Sequence, residues 1–110
     1  MQGVKKLKYK EIVKLKRMLE NNDEVSVDFI FSERVNGYHL YSKDFSSSTW
    51  KGWSVVEDDN SYGANKDLLE IAGEILTEKE RSRGGFDVVG GISAEETYRR
   101  IIEYEKGRSV

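Results

Sequence analysis

Val25-Ser26-Val27-Asp28-Phe29-Ile30-Phe31-Ser32-Glu33-Arg34-Val35-Asn36-Gly37-Tyr38-His39-Leu40-Tyr41 reads as a β-hairpin. Val25, Val27, Phe29 and Phe31 alternate with Ser26, Asp28, Ile30 and Ser32, the two-residue period by which a strand sends successive side chains to opposite faces. Asn36-Gly37 supplies the positive-φ pair that a type I′ turn needs, and Tyr38 to Tyr41 returns. A two-residue turn at that point pairs Val35 with Tyr38, Glu33 with Leu40, Phe31 with Ser42 and Phe29 with Asp44. Val25, Val27, Phe29, Phe31, Val35, Tyr38 and Leu40 then share a core face. Ser26, Asp28, Ser32, Arg34, His39 and Lys43 share a wet one.

On the N-terminal side, Val4 to Asn21 has helical spacing. Leu7, Tyr9, Ile12, Leu15, Met18 and Leu19 gather on one side, and Lys6, Lys10, Lys14 and Arg17 on the other. Asn21-Asn22-Asp23 ends the helix, because Asn tolerates the left-handed conformation and Asp favours turns. On the C-terminal side, Ser46 to Thr49 is a loop and Trp53-Ser54-Val55-Val56 a third strand. Residues 57–65 form an acidic, turn-rich loop. Leu68, Ile71, Ala72 and Ile75 fit a helix over Asp67 to Leu76, and Thr77-Glu78-Lys79-Glu80 is a capping box that predicts a further short helix. Arg81 to Gly91, flanked by glycine pairs, reads as a hinged connector. Ser93-Ala94-Glu95-Glu96 is a second capping box, opening a last helix with Ala94, Thr97, Tyr98, Ile101 and Ile102 in its apolar stripe and an end before Gly107.

The expected architecture is one α+β domain over residues 1–110. It has an N-terminal helix, a three-stranded antiparallel meander, and two to three C-terminal helices on one face of the sheet. A chain of 110 residues buries roughly two-thirds of its unfolded surface, enough for one modest core. The balance of 37% hydrophobic and 35% charged residues places it among folded, hydrophilic domains rather than disordered chains. The absence of cysteine excludes disulfides and thiolate metal sites. No apolar run is long enough to span a bilayer, and Met1 to Lys10 lacks the apolar centre of a signal peptide, so the expected location is the cytoplasm.

Charge is unevenly spread. The first twenty residues carry seven Lys/Arg against two Glu, whereas the remaining ninety carry eleven basic and eighteen acidic side chains. A basic helix is thus joined to an acidic body. Lys6, Lys10, Lys14 and Arg17 offer phosphate contacts, with Tyr9 or the Trp50/Trp53 pair as stacking surfaces, which makes nucleic-acid binding the alternative function. A merely solvated helix face is the plainer reading of the same residues.

Motifs for chemistry fail on spacing. Asp58, Asn60 and Gly63 resemble the start of a calcium loop, but the twelfth position, where a bidentate Glu belongs, is Leu69. The glycine pairs Gly84-Gly85 and Gly90-Gly91 do not form G-x-G-x-x-G, and His39 is the only histidine. No cofactor or metal is expected. Tyr41, Phe45, Trp50, Trp53 and Tyr62 gather at one end of the sheet and its loops beside Asp58 and Asp59. Aromatics at such a place are either a protein-binding surface or a second, minor core.

The C-terminal half also carries a resemblance. Asn65 to Glu80 (NKDLLEIAGEILTEKE) followed by Val89 to Ile101 (VGGISAEETYRRI) resembles a pattern in small proteins of Gram-positive phages and mobile elements. The matching positions are helix caps and core residues, so the resemblance implies a shared fold and transfers no site. It implies a small accessory protein that acts by stoichiometric binding, including inhibition of a host defence system such as CRISPR or restriction. The expected function is therefore that of a non-enzymatic protein-binding protein.

Overall fold

The computed structural model describes residues 9–59, 68–81 and 88–108. They form, in order, α1 (Lys10–Glu20), β1 (Phe29–Arg34), β2 (Gly37–Ser42), β3 (Trp53–Asp58), β4 (Leu69–Gly73), β5 (Val88–Ile92) and α2 (Ala94–Arg108). The fold is α+β as expected, but the sheet has five strands, all antiparallel, in the order β1-β2-β3-β4-β5.

Parity along the strands builds the core. Phe31, Leu40, Val55, Ile71 and Val89 are consecutive cross-strand partners, so one apolar row runs through all five strands. This row packs against Ile12, Leu15 and Leu19 of α1 and Ala94, Ile101 and Ile102 of α2, so both helices cover the same face of the sheet. Burying each large aliphatic or aromatic side chain contributes about 1.5–3 kcal/mol. The opposite face carries the row Ile30, Tyr41, Ser54, Ala72 and Val88.

The hairpin forms with a register two residues from the expected one. Phe31 pairs with Leu40, Glu33 with Tyr38 and Arg34 with Gly37, so the turn residues are Val35 and Asn36. Asn36 takes the left-handed conformation (φ 56). Gly37 opens β2 close against β3, where a Cβ would meet the Glu57 carbonyl oxygen at 2.3 Å, so the position requires glycine. Val35, assigned to the core face from its sequence parity, is at the turn tip and 87% exposed. Since the shift is an even number, every other strand residue keeps its face.

Three further expectations are corrected. Leu69 to Gly73 is a strand, not part of a helix. Leu69, Ile71 and Ala72 are all buried because β4 lies between β3 and β5, and so compact an apolar run fits either period. The expected connector Arg81 to Gly91 contains most of β5, while residues 82–87 lie outside the described set. The capping box at Thr77 is built as expected: Thr77 N–H donates to Glu80 Oε1 (2.7 Å) and Glu80 N–H to Thr77 Oγ1 (3.2 Å). It closes a single turn through Arg81 N–H to Thr77 O.

Arg100 on α2 clamps that turn. It donates to both Glu80 oxygens (2.7 and 3.2 Å) and to the Ile75 carbonyl (3.2 Å), and its Nε donates to Glu96. Arg99 and Arg100 together hold the Glu96 carboxyl down to about 2.

Both helices are capped from a distance. Tyr9 is the N-cap of α1, with φ 63 and no side-chain cap, and its ring still packs against the core as expected, while residues 4–8 of the expected helix lie outside the described set. The buried Glu57 of β3 substitutes, its Oε1 accepting from Ile12 N–H at 2.9 Å in the first turn. Glu11 in turn accepts from Ala94 N–H (2.9 Å) at the start of α2, where Ser93 Oγ also accepts from Glu96 N–H (3.1 Å). At its other end α1 stops where expected. Asn22 Oδ1 accepts from Glu24 N–H and Val25 N–H, and its amide donates to the Tyr98 hydroxyl. The α2 stripe of Ala94, Thr97, Ile101 and Ile102 is buried, and the helix continues through Gly107 to Arg108.

Candidate functional site

On β2, Leu40 faces the helices, so its neighbours His39 and Tyr41 project from the other face of the sheet. The chain after β2 folds back over the same side. Phe45 N–H donates to Ser42 O (3.0 Å), Ser46 N–H donates to Lys51 O (3.1 Å), and residues 46 and 51 form an isolated bridge. Gly52 permits this return. Its φ is 75, and a Cβ would meet Ser42 Oγ at 2.3 Å and Asp44 Oδ1 at 2.8 Å.

The return brings four rings together. His39 and Tyr41 lie 4.3 Å apart, Phe45 is edge-on to His39 (6.2 Å) and tilted to Tyr41 (6.3 Å), and Trp50 meets Phe45 edge-to-face at 6.0 Å. All four are half-buried, in contrast to the closed core on the helix face. Ile30, the cross-strand partner of Tyr41, extends the cluster and is 39% exposed. Trp50 has φ 54, a backbone conformation that is costly for a bulky residue. Held strain of this kind concentrates where a side chain must be presented.

Beside Trp50 is a cleft of about 400 Å³ lined by Thr49, Lys51, Gly73, Glu74, Glu78 and Arg81. Glu74 is fixed in it by Gly52 N–H (2.7 Å) and the Tyr104 hydroxyl (2.5 Å). Its wall carries two cations and two carboxylates, a mixed surface suited to polar contacts at the rim of an interface.

His39 was expected on a wet strand face. It is half-buried among the rings, and its Nε2 is 2.7 Å from Ser54 Oγ. Burial, aided by Arg34, lowers its pKa to about 4. Among the described residues no carboxylate orients the other ring nitrogen, and the pair joins β2 to β3. The sign of its pH effect follows. The folded state binds fewer protons than the unfolded chain below the ordinary value of 6.5, so stability falls from about pH 6.5 to about pH 4. His39→Gln is expected to flatten urea-denaturation free energies across that window, and an unchanged slope would show that His39 is not the group responsible.

The other expected binding residues lie elsewhere. Trp53 pairs with Gly73, faces the helices and is fully buried, its indole N–H donating to Glu105 Oε2 at 3.0 Å. Asp58 is also buried, in an ion pair with Arg34 (3.2 Å), and Asp59 accepts from the Tyr9 hydroxyl (2.7 Å). Tyr62 lies outside the described residues. Sequence reasoning missed Ile30 and His39 as members of the surface. Their shared parity with Tyr41 was the available signal.

The basic row on α1 is interrupted. Lys10 and Arg17 are exposed as expected, but Lys14 is paired with Glu95 of α2, and Lys6 lies outside the described residues. Lys16, between them, bonds Glu20 (2.9 Å) and sits 5.5 Å over the Phe31 ring. Among the described residues no three His, Asp or Glu side chains converge as metal ligands, and no helix is long and apolar enough to cross a membrane. Comparison with protein-family models, with curated proteins and with solved structures found no match.

Proposed function

We propose that this protein is a non-enzymatic binding protein that recognises another protein through Tyr41, Phe45 and Trp50, with His39 beneath them and Ile30 at the margin. The observation that carries the reading is the half-buried ring cluster, whose Trp50 is held on a left-handed backbone. Rigid aromatics give large contact area at low ordering cost, and truncating one at the centre of an interface costs 2 kcal/mol or more. In the phage or mobile-element setting that the C-terminal resemblance implies, the partner would be a component of a host defence system.

Site-specific photocrosslinking in cells tests this reading. A benzophenone side chain at position 45 or 41 is expected to give one discrete protein adduct, and the same group at Lys10 or Arg17 none. Adducts from the helix alone would overturn it. Fluorescence anisotropy with single- and double-stranded oligonucleotides at low salt checks the nucleic-acid alternative, and no binding is expected. Binding that weakens steeply with salt would transfer the function to α1.

A further inference from the structure

Among the described residues β1 is an edge of the sheet, and its outer hydrogen-bonding groups can be assigned. Asp28 O accepts from Lys43 N–H (3.4 Å), and hydrogen-bonded positions alternate along an antiparallel ladder. Ile30, Ser32 and Arg34 therefore bond to β2, and the N–H and C=O groups of Phe29, Phe31 and Glu33 point away from the sheet. Natural sheets guard such an edge with charged side chains, lysine above all, or with proline, a bulge or a covering element. The strand Phe29–Arg34 (FIFSER) has no lysine or proline, its register with β2 is unbroken, and its two charges, Glu33 and Arg34, stand at its C-terminal end and leave Phe29 to Ser32 uncharged. The opposite edge differs: β5 contains Gly90-Gly91, with Gly91 at φ 77, and its register with β4 shifts between Leu69 and Ile71. The faces of β1 are also incompletely covered. α1 packs on α2 and, within the sheet, on β2 and β3, and Phe29 and Phe31 are half-buried on that face while Ile30 is 39% exposed on the other.

We propose that two copies of the chain pair antiparallel along β1, joining their sheets across a two-fold axis at Phe31. The sequence is self-complementary in that register. Phe31 meets the same residue of the second copy, Phe29 meets Glu33, Ile30 meets Ser32, and Asp28 meets Arg34. Phe31 to Phe31 and Phe29 to Glu33 are then the hydrogen-bonded pairs, using the outward groups of both strands. Asp28 and Arg34 form a closely spaced pair of opposite charge, twice per dimer. Both are exposed. The Arg34 contact to Asp58 uses Nε, and the guanidinium has further N–H groups for a second carboxylate. The interface is isologous, so it closes at two subunits rather than growing into a fibre. The aromatic clusters of the two copies would lie on one continuous face, although the pairing does not depend on their having a partner.

Sedimentation equilibrium of the full chain, from about 5 μM to about 500 μM, tests the proposal. A reversible dimer is expected, populated at the top of the range and dissociating toward its bottom. Glu33→Pro removes an outward N–H without touching the β1–β2 ladder, and Asp28→Arg places like charges opposite each other. Each is expected to weaken dimerisation at least tenfold while circular dichroism is unchanged. Amide exchange at Phe29, Phe31 and Glu33 should slow with concentration, and exchange at Ile30 and Ser32 should not. A monomer throughout the range, a dimer unaffected by Asp28→Arg and Glu33→Pro, or a dimer with those three amides unprotected would overturn the proposal.

Discussion

Trp53→Ala is expected to cost about 3–5 kcal/mol of folding stability, and Trp50→Ala about 1 kcal/mol. The two residues are three positions apart and do opposite jobs. Trp53 is fully buried on the helix side of β3 and tied to α2 through Glu105, so its truncation opens a cavity at the centre of the core. Trp50 stands in the return loop on the other side of the sheet, where it touches Phe45 and the cleft. A domain of this size has a total stability of about 5–15 kcal/mol, so the Trp53 variant should lose a large fraction of it. Urea denaturation followed by circular dichroism measures both. For Trp50 the companion loss is in partner affinity, at least thirtyfold if it is a hot spot at about 2 kcal/mol. Equal stability costs for the two variants would make Trp50 a core residue and remove the surface from consideration.

Glu57→Ala should destabilise the protein by about 2–3 kcal/mol, and Glu57→Gln by about 1 kcal/mol. Helix α1 finds its cap outside its own sequence. Tyr9 offers no side-chain acceptor, so the Glu57 carboxyl reaching from β3 satisfies the buried Ile12 N–H. Alanine removes the acceptor and strands a buried donor, whereas glutamine keeps an acceptor at the same reach. Amide exchange at Ile12 should accelerate in the alanine variant more than exchange in β2. If Glu57→Ala melts with the wild type, the helix is capped by some other group.

The hairpin was legible because alternation and a turn dipeptide agree over the same residues. Its register was not, because Asn36 satisfies the turn from either its first or its second position. The observed register sets Gly37 opposite Asp58 of β3, at an approach that leaves no room for a side chain, and that contact lies in tertiary structure. The last helix and its capping box were legible because Ser93 and the stripe from Ala94 to Ile102 carry the same message. β4 and β5 were missed for two different reasons. Leu68 to Ile75 fits helical spacing, and its strand state is imposed by neighbours on both sides. Val88 to Ile92 is short and hidden by two glycines that locally favour a bend.

For the candidate surface, the alternation that sends Leu40 into the core sends Tyr41 to the other face, where it meets Phe45. Trp53 could not be separated from Trp50 from sequence, because the loop between them contains two left-handed residues, Trp50 and Gly52, that reset which side the chain presents. The fates of Lys14, Asp58 and Asp59 were equally invisible. Their partners, Glu95, Arg34 and Tyr9, are distant in the chain.

The long-range helix caps have a consequence for how the molecule comes into being. The first turn of α1 takes its acceptor from Glu57, 45 positions later, and gives one to Ala94, 83 positions after Glu11. A helix of 11 residues is near the limit of what holds together alone in water. During vectorial synthesis α1 emerges first, yet it cannot be completed until β3 exists, and it cannot discharge its own capping role until α2 begins. Folding should therefore wait for nearly the whole chain and then proceed in one cooperative step, with contacts of high sequence separation setting a slow rate. Nascent fragments ending before residue 94 would expose Ile12, Leu15 and Leu19 to whatever chaperones attend the ribosome.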